Sequence, residues 1–130
     1  MRAVVGRQDS VRLGRVGEDA ALSFVASLGW EVVARNLRTP YGEIDLLCRD
    51  RGCLVVVEVK ARTGSRYGAP LEAIDARKVG RLLRSLNWWL AGHAPSGCPP
   101  VRVDVVGVEL DVSGRPLWLR LDRDVLAAGV

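Results

Sequence analysis

The sequence has three cysteines, one histidine and two lysines, and these shortages exclude several classes of protein. Three cysteines without a C-x-x-C spacing argue against a disulfide framework and a zinc ribbon, and they fit a reducing compartment. The lone His93 leaves no histidine-metal nuclease motif. No apolar run approaches the roughly 18 residues of a membrane span, and no apolar segment precedes a cleavage site near the N-terminus. We therefore expect a cytoplasmic protein that is neither membrane-inserted nor exported.

The length and composition indicate one globular domain. A chain of 130 residues is long enough for one hydrophobic core but not for two. Its content of 48% hydrophobic and 26% charged residues is typical of folded proteins. We predict a single domain over residues 1–130. Its core covers about residues 10–110, preceded by a flexible basic tail at 1–9 and followed by a hairpin and tail at 111–130.

The basic charge is concentrated in one quarter of the chain. Residues 60–84 carry seven basic and two acidic groups, a charge of +5, whereas the whole chain has a net charge of +4. Arginine forks bind phosphates in bidentate geometry, so this composition is typical of a nucleic-acid binder, although it is also produced by genomic base-composition bias. The side chains that we predict to contact nucleic acid are Arg38, Arg62, Arg66, Arg77, Lys78, Arg81 and Arg84.

Hydrophobic periodicity predicts two helices and five strands. The helices run from about Ser10 to Gly29 and from about Asp75 to a stop between Pro95 and Pro100. Short connections join the first three strands into an antiparallel meander, whereas the second helix forms a crossover to a parallel strand. The fold class is therefore α/β, with αβββαβ order, a mixed sheet covered by a helix on each side, and a short C-terminal edge strand. The predicted strands are Trp30–Asn36, Glu43–Arg49, Cys53–Ala61, Val101–Leu110 and Leu117–Leu121.

Two acidic residues are predicted to lie side by side on the central hairpin. Because side chains alternate between the faces of a strand, Asp45 shares a face with Glu43, and Glu58 shares a face with Lys60. A two-residue loop at residues 51–52 sets Asp45 opposite Glu58 and Glu43 opposite Lys60. A four-residue loop shifts the pairing by two but keeps the same faces together. Like charges opposed across strands destabilise each other unless a cation lies between them.

A divalent metal ion is the cation that these carboxylates suit. Mg²⁺ favours oxygen ligands, keeps several waters and usually takes one or two carboxylates, so we predict Mg²⁺, with Mn²⁺ as a substitute, on Asp45 and Glu58. Lys60 could orient or help deprotonate the attacking water, or offset charge on the transition state. Glu18 lies at the edge of the apolar arc of the first helix and could bring a third carboxylate to the site, provided that the tertiary packing places it there.

Several short motifs occur in order along the chain. They are Gly17-Glu18-x-Ala20, Arg35-Asn36-Leu37-Arg38, Gly42-Glu43-Ile44-Asp45-Leu46, Val57-Glu58-Val59-Lys60-Ala61-Arg62, Gly68, Lys78 and Val103-Asp104-Val105-Val106. In this order they resemble the pattern of the YraN-like family of bacterial proteins, and the resemblance covers about residues 10–110. That family looks like a member of the PD-(D/E)XK nuclease superfamily, close in topology to archaeal Holliday-junction resolvases and restriction endonucleases. Val103 departs from the family pattern, where an aromatic residue is usual.

The resemblance implies a restriction-endonuclease-like fold and metal-dependent hydrolysis of phosphodiester bonds in DNA, including branched or structured DNA. By that resemblance, Asp45, Glu58 and Lys60 occupy the catalytic D…ExK positions, and Glu18 matches the helix-borne acid of the resolvase-like branch. The resemblance implies no defined cellular substrate.

Two functions of other classes stay open on the sequence alone. The chain could be a nucleic-acid-binding module without turnover, since the basic segment supports binding as well as catalysis, and an E-x-K pattern also occurs in cross-strand ion pairs. It could instead be a protein-interaction subunit or a homodimer. Trp88 is predicted on the polar side of the second helix between Arg81 and Arg84, where it could fill an interface or stack on unpaired bases.

Overall fold

The computed structural model describes residues 7–63, 74–93 and 99–126 of the chain. Two helices and five strands make up this part, and the predicted α/β class and αβββαβ order with a further C-terminal strand are confirmed. The elements are α1 (Arg7–Ser27), β1 (Glu31–Thr39), β2 (Gly42–Asp50), β3 (Cys53–Thr63), α2 (Ala76–His93), β4 (Val101–Leu110) and β5 (Pro116–Asp122).

The five strands form one mixed sheet in the order β1-β2-β3-β4-β5. The β1–β2, β2–β3 and β4–β5 pairs are antiparallel, and the β3–β4 pair is parallel, with Glu58 opposite Val105 and Lys60 opposite Gly107. Parallel neighbours need a long connection, and α2 lies within it, as the sequence predicts. In the described part of the sheet, β3 is paired with β2 only as far as Val57, whereas it is paired with β4 from Leu54 to Thr63.

Each face of the sheet packs against one helix. Val79, Leu82 and Leu86 of α2 join one buried cluster, whereas Ala21 and Val25 of α1 join the other. β3 contributes alternate residues to the two clusters because both of its faces are covered, which explains its near-continuous run of valines. The prediction of a helix on each side of the sheet is confirmed.

Several element ends differ from the predicted ones. α1 begins at Arg7, so its first residues fall within the predicted tail at 1–9. β1 extends to Thr39, because Thr39 pairs with Gly42 and its Oγ1 accepts a 3.1 Å hydrogen bond from the Tyr41 N–H. At the predicted start of α2, Asp75 Oδ1 accepts the Lys78 N–H at 2.8 Å and thereby caps the helix. Neither described helix combines the length and the apolar character that a membrane span requires.

Candidate active site

The β2–β3 hairpin opens at Asp45 and Glu58. Asp50 pairs with Cys53, so the loop is the predicted two-residue one, and Arg51 and Gly52 both have positive φ, 52° and 82°. Such a turn matches the twist of the flanking strands and determines the register. The paired residues end at Leu46 and Val57, so the two strands separate at the next positions, where the Asp45 carboxylate occupies the gap and Oδ2 accepts the Val59 N–H at 2.8 Å.

The alternation of β2 breaks at Asp45. Ile44 and Leu46 would face the same side of a regular strand, but Ile44 packs into the core beneath α2 and Leu46 into the core beneath α1. The prediction that Asp45 and Glu43 lie on one regular face of β2 therefore fails, because the strand is not regular at Asp45. Its carboxylate instead bonds to the backbone of the adjacent strand, at the edge between the two cores.

Burial opposes ionisation of both carboxylates, and repulsion from Glu58 adds to this effect at Asp45. Loss of hydration, followed by repulsion from Glu58, raises the pKa of Asp45 to about 6. Burial likewise raises the pKa of Glu58, while Lys78 and Lys60 favour its ionised form. A cation bound between the two carboxylates would relieve this repulsion.

Two lysines lie close to Glu58. Lys78 Nζ, from the first turn of α2, is 3.4 Å from Glu58 Oε1. Lys60 is half-buried on β3, two residues beyond Glu58, and its charge lowers the pKa of that carboxyl. The other carboxylate oxygen, Glu58 Oε2, is buried and has no hydrogen-bond partner among the described residues. Buried carboxylate oxygens normally have a partner, so Oε2 has unused capacity for a ligand.

Glu18 reaches the site because α1 packs unusually close to β3. Gly17 is buried, and a Cβ at that position would lie 2.5 Å from the Cβ of Ala61. Only glycine permits so close an approach of α1 to β3. This approach places the next residue, Glu18, beside the open end of the hairpin. Partial burial, and then repulsion from Asp45, raises the pKa of Glu18. The structure therefore brings Glu18 near enough to Asp45 for their charges to interact.

Asn36 is the site residue to which the sequence argument assigned no role. The amide of Asn36 satisfies both neighbouring carboxylates when its nitrogen faces them, and in that orientation the nitrogen lies 3.1 Å from Glu18 Oε2 and 3.1 Å from Glu43 Oε1. The φ of Asn36 is 50°. Glu43 therefore has Asn36 as a partner, whereas it was expected to lie opposite Lys60. The signal that could have found Asn36 is its residue type, because asparagine is uncommon in strands and is enriched among non-glycine residues with positive φ.

The predicted nucleic-acid contacts fall into two groups. Arg38 of β1 and the arginines of α2 are exposed, whereas Lys78 pairs with Glu58 and the half-buried Arg62 places Nε 3.3 Å from Oε2 of the buried Glu109. Arg66 lies outside the described residues. Trp88 is on the exposed side of α2 as predicted, with 47% of its surface accessible. The exposed arginines of α2 are Arg77, Arg81 and Arg84.

The predicted ligands are neighbours without forming a complete metal site. No three His, Cys, Asp or Glu side chains in the described ranges converge closely enough to hold a metal ion. Asp45 bonds to Val59, Glu58 contacts Lys78, and Glu18 bonds to Asn36, so each carboxylate has a donor of its own. The Asp45–Glu58 pair fits Mg²⁺ by its oxygen donors and by the unpartnered Glu58 Oε2, since one or two carboxylates suffice for that ion.

The chain matches one protein family over most of its length. A family model described as "Uncharacterised protein family UPF0102" matches residues 17–108, which include Glu18, Asp45, Glu58 and Lys60. The chain is 49% identical over 108 residues to a UPF0102 protein of Symbiobacterium thermophilum, a match that covers 82% of this chain and 89% of that protein.

Two further relatives show similar identity. A UPF0102 protein of Thermus thermophilus is 44% identical over 113 residues, covering 87% of this chain and 94% of the relative. A UPF0102 protein of Bordetella parapertussis is 46% identical over 119 residues, covering 88% of this chain and 66% of the relative. The similarity therefore extends over most of this chain.

Proposed function

The chain belongs to the uncharacterised protein family UPF0102, and we propose that it is a metal-dependent endonuclease that hydrolyses phosphodiester bonds in DNA. The observation that carries this proposal is the Asp45–Glu58 pair at the open end of the hairpin, where burial raises the pKa of both carboxyls and repulsion from Glu58 adds to the rise at Asp45. Paired carboxylates with perturbed pKa values beside lysines are typical of catalytic sites. The resemblance to PD-(D/E)XK nucleases supports the same residues.

Asp45 and Glu58 would hold Mg²⁺, with Mn²⁺ as a substitute. When bound, the ion would supply a Lewis acid that polarises the scissile phosphate. The negative charge of Asp45 helps to raise the pKa of Glu18, so the two carboxylates are close, and we assign Glu18 to the surroundings of the same site. Ionised carboxylates would hold the ion most strongly, because the attraction requires the charged form.

Lys60 and Lys78 supply positive charge near Glu58. We assign Lys60 to orient and help deprotonate the attacking water and to offset charge on the transition state. Lys78 Nζ lies 3.4 Å from Glu58 Oε1, so its positive charge partly offsets the negative charge of the carboxylate. A cation on Glu58 would displace that contact, and the Lys78 ammonium would then be available to a substrate phosphate.

The exposed arginines of α2 support DNA as the substrate and also favour the second candidate function. Arg77, Arg81 and Arg84 lie on the exposed side of the helix that begins with Lys78 at its first turn. A row of guanidinium groups binds a phosphate backbone without reading its sequence. The second candidate is therefore a nucleic-acid-binding module that uses this helix without turnover. Cys48 and Cys53 are free thiols, which supports a cytoplasmic location for either function.

Cleavage assays test this proposal directly. Labelled linear, flapped and four-way DNAs and single-stranded RNA are incubated with Mg²⁺ or Mn²⁺ and with the wild-type protein, Glu58→Gln or Lys60→Ala. We expect metal-dependent cutting of DNA, and a loss on the order of 10²-fold or more for Lys60→Ala at saturating protein, because a group that acts on the transition state affects the chemical step. DNA affinity should change little in that variant.

Arg84→Ala serves as the matched control, because Arg84 is exposed on α2. Its removal should weaken DNA binding and leave the cleavage rate at saturation intact. A Glu58→Gln or Lys60→Ala variant that cuts as fast as wild type at saturating protein would contradict the proposed catalytic site. If the wild type binds DNA but cuts no substrate in the panel, the binding-module function replaces the nuclease.

A further inference from the structure

Asn36 has a backbone conformation that strands do not normally use. Its φ of 50° lies in the left-handed region, which asparagine adopts more readily than most residues. The residues on either side of it keep one register with β2, pairing with Leu46 and Ile44. The distortion is therefore confined to Asn36, directly across from Asp45, at the point where the alternation of β2 also breaks.

The side chain of Asn36 connects three elements at one nitrogen atom. In the orientation that gives both carboxylates a donor, the amide nitrogen lies 3.1 Å from Glu18 Oε2 on α1 and 3.1 Å from Glu43 Oε1 on β2, and it has two N–H groups to donate. Hydrogen bonds to ionised carboxylates are stronger than neutral ones. Without this amide, Glu18 and Glu43 would meet as like charges and turn toward solvent, because their repulsion is part of the interaction at Glu18.

We propose that Asn36 is a positioning residue that holds the Glu18 carboxylate against β2, beside Asp45. A role of Glu18 in metal binding rests on the nuclease function proposed above, whereas the contact between Asn36 and Glu18 does not depend on that function. The left-handed backbone of Asn36 directs its amide to the carboxylates of α1 and β2 at the same time. A residue of ordinary strand conformation would present its side chain to one face of β1 instead.

The alternative is that asparagine is present only because the backbone needs a positive φ. Asn36→Gly separates these explanations, since glycine accepts that φ at no steric cost and removes the amide. Asn36→Asp is the second variant, because aspartate also tolerates the conformation but replaces the donor with a third negative charge. We expect both variants to fold, and Asn36→Asp to be the less stable of the two at neutral pH.

A double-mutant cycle without metal tests the contact. Urea unfolding in EDTA is measured for wild type, Asn36→Gly, Glu18→Ala and the double variant. We expect a coupling of at least threefold in the folding equilibrium constant, because each single change removes the same hydrogen bond. The matched control combines Asn36→Gly with Asp19→Ala, since Asp19 pairs with Arg35 at 2.9 Å instead, and these two changes should be additive. An additive Asn36–Glu18 cycle would overturn the proposal.

Calorimetric titration with Mn²⁺ alone tests the consequence for the site. We expect Asn36→Gly to weaken Mn²⁺ binding at least threefold, and to have no further effect once Glu18→Ala is present. An equal loss in both backgrounds would show that Asn36 does not act through Glu18 and would overturn the positioning role. A wild-type protein that binds no Mn²⁺ would contradict the proposed function, while the cycle in EDTA would still decide whether Asn36 holds Glu18.

Discussion

Asp45 is a residue whose ionisation opposes folding. Its carboxylate accepts one backbone hydrogen bond, but burial and the neighbouring Glu58 outweigh that bond and raise its pKa to about 6. A carboxyl with a raised pKa binds its proton more tightly in the native state than in the unfolded chain. The folded protein therefore loses stability at this residue as pH rises from about 4 to 6, and the whole loss is present above pH 6.

The Asp45→Asn variant should reveal this contribution. In EDTA, we expect Asp45→Asn to gain stability relative to wild type between pH 4 and pH 7, by up to about 3 kcal/mol for a shift of about two pKa units. Urea unfolding across that range measures the difference. Asp111→Asn is a control of opposite sign, because hydrogen bonds from Ser113 and Arg115 lower the pKa of Asp111, so this variant should lose stability relative to wild type as pH rises. A pH-independent effect of Asp45→Asn would contradict the burial argument.

At the scale of elements, the docking of α1 on β3 decides where Glu18 lies. Two small residues, Gly17 and Ala61, permit the close approach, and the helix has its glycine at the point of contact. Glycine inside a helix costs about 1 kcal/mol relative to alanine, so its presence there has a packing reason. The position of Glu18 therefore depends on the absence of a side chain at the preceding residue, Gly17.

Gly17→Ala should therefore destabilise the protein despite its better helix propensity. The added Cβ would lie 2.5 Å from the Ala61 Cβ, and we expect a net loss of about 1–3 kcal/mol in the free energy of unfolding. Ala61→Gly removes the opposing atom and should restore much of that loss in the double variant. Gly14→Ala is the matched control, since nothing lies within 4 Å of a Cβ at that position, and it should stabilise the helix. Strict additivity of Gly17→Ala and Ala61→Gly in urea unfolding would contradict the steric contact.

At the scale of the whole molecule, charge is arranged along one helix and one end of the hairpin. The open end of the β2–β3 hairpin carries the carboxylates, and α2 approaches it with Lys78 at its first turn. The exposed arginines of α2 continue from there, whereas Arg49 lies near the closed end of the hairpin and contacts Glu31 at 3.6 Å. A DNA backbone bound along α2 would therefore lead to the carboxylates.

Salt dependence of DNA binding tests this arrangement. We expect affinity to fall steeply with salt, and Arg81→Ala to flatten the slope of log K against log salt by about one, because one phosphate contact releases about one counterion. Arg49→Ala, at the closed end of the hairpin, should leave the slope unchanged. Equal slopes for Arg81→Ala and wild type, measured by fluorescence anisotropy, would place the nucleic-acid interface elsewhere.

Local features were predictable because they depend on a few neighbouring residues. The two-residue turn and the alternation of side chains predicted the register in which Leu46 meets Val57, and the structure has that register. Periodicity likewise predicted the bounds of β4, Val101–Leu110. The interruption at Asp45 was not predictable in this way, because it accompanies a distortion in β1 rather than a signal within β2.

The sequence by itself determined the element order, the mixed sheet and the closeness of Asp45 to Glu58, since strand periodicity and turn length act over short separations along the chain. Only the tertiary structure decided that Lys78 contacts Glu58, that Arg62 pairs with Glu109, and that Asn36 bonds to Glu18. These contacts join residues on different elements. Their geometry depends on how closely helices pack on the sheet and on where a strand departs from regular pleating, and no local pattern of residue types encodes either quantity.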